Sequence, residues 1–130
     1  MATKERLKAL ARKEARALEV ATASLKNLRT SARKARVVGD LVRGKPLSEA
    51  YVSLAFQARF AAGPLRDLLK SAAANAVERG FDADSLIVEE IQVHKGPITK
   101  RFMPRAQGRA TPIRKQSTHV DIRLSTRDSK

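Results

Sequence analysis

Apolar residues recur at two periods along this chain, and the change from one to the other falls near Asp84. Leu65, Leu68, Leu69, Ala72, Ala73, Ala76 and Val77 keep the i, i+3, i+4, i+7 spacing that lines one face of an α-helix. Gly63 and Pro64 break the chain ahead of that run, and Gly80 stands where a left-handed residue ends a helix. Two shorter runs precede it. Ala35, Val38, Leu41 and Val42 predict a helix whose orphan N–H groups Ser31 can cap, with Gly44 and Pro46 setting a tight turn after it. Leu47, Ala50, Tyr51, Leu54 and Ala55 predict the next. Residues 20–30, rich in small and β-compatible side chains without a helical stripe, read as a strand. Residues 1–19 carry Leu7, Leu10, Ala11, Ala15 and Leu18 at helical spacing among charges. They read as a basic extension, helical or disordered, because isolated helices of this length are marginal in water.

Beyond Asp84 the pattern becomes extended. LIVEEIQVH is rich in β-branched residues, and THVDIRLST alternates strictly, with Val120, Ile122 and Leu124 on one face and His119, Asp121 and Arg123 on the other. If residues 86–94 pair antiparallel with 116–124, paired positions sum to about 210 and the turn falls near Arg105. The segment between the strands is then the far end of a long hairpin, spanning 86–124. At about 3.3 Å per residue each arm reaches on the order of 60 Å when fully extended.

Charge changes the meaning of that hairpin. The 130 residues hold 27 Lys and Arg against 13 Asp and Glu, a formal charge of +14 that repels itself in the compact state unless a polyanion is near. From Ile91 to Val120 there is no acid, while Lys95, Lys100, Arg101, Arg105, Arg109, Arg114 and Lys115 are spread over both arms and the turn. A two-stranded ribbon has no third layer and is marginal in water, so neutralising phosphates and releasing their counterions would stabilise it. Pro97, Pro104 and Pro112 remove donors and blunt its edges, and Gly96 and Gly108 permit close approach or tight turns. A second basic cluster, Arg29, Arg33, Lys34 and Arg36 with Arg43 and Lys45, surrounds the first core helix. Its capped N-terminus adds a dipole suited to phosphate. A solvated charged face is the plainer reading of either cluster alone.

Other chemistry finds little support. The chain has no Cys, no apolar run near the roughly 20 residues of a membrane span, and an N-terminus too charged for a signal peptide. Aromatics make up only 4%, so phosphate contact is expected to outweigh base stacking. His94 and His119 lie close across the expected hairpin and could serve acid–base cleavage of RNA, with Lys95 or Lys115 as the cation, but an open ribbon offers no pocket to tune them. Glu89 and Glu90 are adjacent and point to opposite faces of a regular strand. Asn75 and Tyr51 read as packing or hydrogen-bonding residues. No metal cluster, phosphate loop or nucleophile elbow is present, and neither an enzyme nor a cofactor is expected.

The stretches LRTSARKARVVGDLVRGKPLSEA, LLKSAAANAVERG and HKGPITKRFMPRAQGRATPIRKQSTHVDI closely resemble the ribosomal protein L twenty-two family, bacterial type, over about residues 20–127. The resemblance implies a small α+β body, three helices on a three-stranded antiparallel sheet, with a long protruding β-hairpin. It implies residues 20–130 as a single RNA-binding domain and 1–19 as an extension beyond the family pattern. It also implies a cytoplasmic protein that binds large-subunit ribosomal RNA, adjoins other ribosomal proteins and supports subunit assembly. Its hairpin tip would line the peptide exit tunnel beside the nascent peptide. Carried over by motif, Lys100, Arg101, Met103, Pro104, Arg105, Ala106, Gln107, Gly108, Arg109 and Ala110 are the tunnel-side positions, and Arg33, Lys34 and Arg36 meet RNA on the body. Thr99 stands where some relatives carry Met.

Two other functions compete. A DNA-bending architectural protein also uses basic β-ribbon arms, with Pro104 and Phe102 or Met103 as the wedge. Such a protein would dimerise, which an assembly protein need not do. A ribonuclease built on the two histidines is the other.

Overall fold

The computed structural model describes residues 3–19 and 21–127, with side chains described for 3–14 and 21–127. Met1, Ala2, Val20 and residues 128–130 lie outside the described residues, as do the side chains of Ala15 and Leu18 from the N-terminal stripe. Residues Lys4–Glu19 form helix α1, a fourth helix beside the three expected in the body. Its Ala, Leu, Lys, Arg and Glu are strong helix formers. Residues 3–14 are all exposed, so the helix owes that stretch to propensity and not to burial.

The body follows in the order β1 (Ala21–Leu28), α2 (Ala32–Val42), α3 (Leu47–Ala55), α4 (Ala62–Glu78), β2 (Leu86–Lys95), β3 (Thr99–Pro104), β4 (Ala110–Lys115) and β5 (Thr118–Thr126). β5 is central in an antiparallel sheet ordered β1-β5-β2, while β3 and β4 pair only with each other. Val120, Ile122 and Leu124 alternate inward as expected and meet Val38, Val42, Leu65, Leu69, Ala72 and Ala76 in one apolar cluster. Each fully buried Leu or Ile there stabilises the fold by about 1.5–3 kcal/mol. Gly39 lets α2 sit close on β2, since a Cβ at that position would lie 3.3 Å from Ile91 Cγ2.

Helix ends largely follow the signals in the sequence. Ser31 accepts from the Lys34 N–H at 3.4 Å, and Gly44 and Gly80 take φ of +78° and +90°. Three details differ. α4 begins at Ala62, so Gly63 and Pro64 lie inside its first turn, where a missing proline N–H would be orphaned anyway. α3 stops at Ala55, which is exposed. Leu41 and Val77 are 40% and 55% exposed, because the buried face of each helix is narrower than its apolar stripe.

The hairpin register also departs from a sum of 210. Leu86 pairs with Thr126, His94 with His119 and Thr99 with Lys115, giving sums of 212, 213 and 214. A bulge between Val88 and Glu90 inserts Glu89 as an extra residue. This lets Leu86 and Val88, then Ile91 and Val93, all face the core across an odd spacing. The tip therefore centres on Gln107 and not on Arg105, with Gln107 and Gly108 at φ of +61° and +70°. The Arg105 N–H closes it on the Arg109 carbonyl at 2.7 Å.

Between the two sheets lies a neck. The Gly96 N–H donates to the Ser117 carbonyl at 2.8 Å, and the Ser117 hydroxyl donates to the Pro97 carbonyl. Ser117 and Thr118 are 4% and 0% exposed. The arms of the hairpin are thus half absorbed into the body sheet, and the free finger runs from the neck to Gln107, roughly 35 Å at about 3.3 Å per residue.

Candidate nucleic-acid interface

Every residue from Lys100 to Pro112 is exposed, so no packing layer supports the finger. The β3–β4 register places Lys100 directly opposite Arg114, and the tip hydrogen bond brings Arg105 and Arg109 together. Like charges facing each other across a strand pair destabilise it by up to about 1 kcal/mol relative to neutral pairs. The Arg101 guanidinium turns back to the Lys100 carbonyl at 3.0 Å. None of these cations has an acid at ion-pair distance among the described residues. Phe102, 73% exposed, pairs with Pro112, and Met103 pairs with Thr111. Pro104 pairs with Ala110, and Ala106, Gln107 and Gly108 complete the apex.

At the finger root an open groove of about 750 Å³ gathers cations from three elements. Arg29 comes from the bend just after β1, Lys34 from the first turn of α2, and Arg114 and Lys115 from the end of β4. The Arg29 guanidinium lies 3.5 Å from Thr99 Oγ1, linking the body to the finger. Phe60, from the turn between α3 and α4, forms part of the same wall and is 67% exposed. Hydrophobic periodicity does not single out Phe60. Its only signal in the sequence is an aromatic beside Arg59 in a segment with no helical stripe to bury it.

Three other basic residues, Arg36 on α2 and Arg43 and Lys45 just after it, are tied into the body. Arg36 Nη2 donates to the Val93 carbonyl at 3.2 Å and Arg43 Nη2 to the Ile91 carbonyl at 3.0 Å, so both fasten α2 to β2. Arg43 Nη1 also meets Asp40 at 2.7 Å. Lys45 Nζ donates to Ser53 Oγ at 3.3 Å, while its backbone extends the edge of β2 through Val88. Arg33 and Lys95 are exposed.

His94 and His119, expected near each other across the hairpin, become direct cross-strand partners in the shifted register. His119 Nδ1 accepts the Asn27 N–H at 3.1 Å, and His94 Nε2 lies 3.8 Å from Asp121 Oδ2. Both histidines are thereby engaged at a strand surface. Glu90 meets Arg123 at 3.3 Å. Asn75 donates to the Thr22 carbonyl at 3.0 Å, the hydrogen-bonding role expected of it. Tyr51 packs half-buried against the core, and burial raises its phenol above the ordinary range. Among the described residues no group of three or more His, Cys, Asp or Glu could hold a metal, and no helix is long and apolar enough to cross a membrane.

A family model described as Ribosomal protein L22p/L17e matches residues 23–125, which takes in the body sheet, the neck and the finger and leaves α1 outside. The large ribosomal subunit protein uL22 of Myxococcus xanthus is 49% identical over 107 residues, covering 80% of this chain and 94% of its own length. The uL22 of Bdellovibrio bacteriovorus is 50% identical over 103 residues, covering 78% and 94%. That of Rubrobacter xylanophilus is 54% identical over 101 residues, covering 76% and 79%. With the finger, the groove and this breadth of similarity in agreement, the chain belongs to the ribosomal protein L22p/L17e family, whose members are structural proteins and not enzymes.

Proposed function

We propose that this protein is a structural constituent of the large ribosomal subunit, in the cytoplasm, that binds ribosomal RNA and supports assembly of the subunit. Residues 20–130 act as one RNA-binding unit, with 1–19 as a basic extension. Lys95, Lys100, Arg101, Arg105, Arg109, Arg114 and Lys115 on the finger contact phosphates. Arg29, Arg33 and Lys34 do so on the body, with Arg36, Arg43 and Lys45 adding charge from the helix they anchor. The tip from Lys100 to Ala110 lines the peptide exit tunnel beside the nascent peptide, and neighbouring ribosomal proteins abut the body.

One observation carries this reading: an exposed finger that sets cation against cation, Lys100 opposite Arg114 and Arg105 joined to Arg109 through the backbone, with no acid among the described residues to relieve either. A polyanion around the finger turns that repulsion into counterion release. The names of the relatives favour ribosomal RNA over DNA as that polyanion. The test is the salt dependence of binding to large-subunit RNA. Replacing Arg101 and Arg105 with Gln flattens the log–log salt slope by about 0.7–0.9 for each phosphate that is no longer neutralised. An unchanged slope refutes phosphate binding by the finger.

A further inference from the structure

We propose that the groove at the finger root holds an unpaired RNA base against the ring of Phe60. The proposal rests on the RNA-binding reading and adds to it a mode of recognition that duplex RNA cannot use. Phe60 is presented from a fixed position: Ala61 and Ala62, which follow it, are 3% and 2% exposed, and the Arg59 carbonyl accepts the Ala62 N–H at 3.0 Å. Phe60 is 67% exposed, and the residues that share its groove include Arg29, Lys34, Arg114, Lys115 and Gln116.

An apolar ring surrounded by cations matches a ligand that is itself flat and uncharged at one end and anionic at the other. A nucleotide of single-stranded RNA has that form: its base can lie on Phe60 while its phosphates meet the flanking Arg and Lys. Thr30, Ser31 and Gln116 line the same space and carry hydroxyl and amide groups of the kind that bond a base edge. The groove, about 750 Å³, lies within the roughly 300–1,000 Å³ of typical small-ligand sites. In a paired helix the bases are stacked on each other and unavailable to the ring. The phosphates remain available to every cation of the finger, so single-stranded and duplex RNA separate the two kinds of contact.

The experiment uses the full chain with two probes, a short single-stranded RNA carrying one 2-aminopurine and a blunt RNA duplex of similar charge. The single strand loses 2-aminopurine emission on binding. Phe60→Ala weakens its binding about 5- to 150-fold, the range for deleting one stacking aromatic, with duplex affinity and salt slope unchanged. Phe60→Trp restores both affinity and quenching, which excludes misfolding as the cause. Equal binding of the single strand by wild type and Phe60→Ala overturns the proposal and leaves the ring to a protein neighbour. Equal weakening on both probes overturns it in favour of a scaffolding role. If wild type binds neither probe, the RNA-binding reading fails as well.

Discussion

The Thr118 hydroxyl donates to the Thr30 carbonyl at 2.6 Å, and Thr118 is fully buried. That bond joins the first residue of the central strand to the floor of the basic groove, so the finger root and the body are fixed to each other. Thr118→Val keeps the shape and leaves the Thr30 carbonyl without its partner, which costs about 1–3 kcal/mol. Thr118→Ser retains the hydroxyl and most of the stability. Urea unfolding of both variants checks this, and equal midpoints for the two would refute it.

Gly96 admits no side chain. A Cβ there would lie 2.7 Å from Ser117 Oγ and 3.1 Å from the Ser117 carbonyl carbon and oxygen. Overpacking of this kind costs about 1–3 kcal/mol, so Gly96→Ala lowers thermal stability by that order. Ser117→Gly removes the hydroxyl that clashes along with its bond to the Pro97 carbonyl, so the double variant loses less stability than the sum of the two single variants. Calorimetry of the single and double variants provides the measurement.

In the protein free of RNA, amides of residues 100–110 exchange within the dead time of a hydrogen-exchange experiment, because no buried contact opposes local opening. Ile122, on the central strand, exchanges only at the global rate. Large-subunit RNA slows the finger amides. Strong protection of the finger without RNA would mean that its own packing holds it.

Tyr51 makes a smaller contribution at alkaline pH. Its folded-state phenol titrates above the ordinary value of about 10, because burial disfavours the phenolate. The folded form therefore holds its proton longer than the unfolded form. The resulting stability is complete below the unfolded value and declines as pH rises through it toward the raised folded value. Tyr51→Phe loses less stability between pH 9 and 11 than wild type, an expectation set by these about-10 values. Parallel stability curves for the two proteins would count against it.

Periodicity was enough to read the three body helices and the inward face of β5, since Val120, Ile122 and Leu124 sit in an alternation that nothing interrupts. It was not enough for the register. The shift enters at Glu89, where two adjacent acids give no local sign of which one the ladder skips, and grows again across the neck. Acid-free charge between Ile91 and Val120 revealed the finger's cations, because charge sums without knowledge of contacts. Side-chain geometry stayed hidden for the same reason: Arg36 and Arg29 look alike in a basic cluster, yet one fastens a helix to β2 and the other borders the groove. Phe60 escaped because it belongs to no repeating pattern and acquires its surroundings only when β4 arrives from more than fifty residues away.

The neck, with the Arg29–Thr99 contact beside it, makes the finger a lever hinged at its root. With roughly 35 Å between Gly96 and Gln107 at about 3.3 Å per residue, a tilt of about 5° at the fulcrum swings the tip by about 3 Å, a base-pair step. Aim is therefore decided far from where it is used: small side-chain changes at residues 96, 117 and 118 redirect the apex without altering any residue in it.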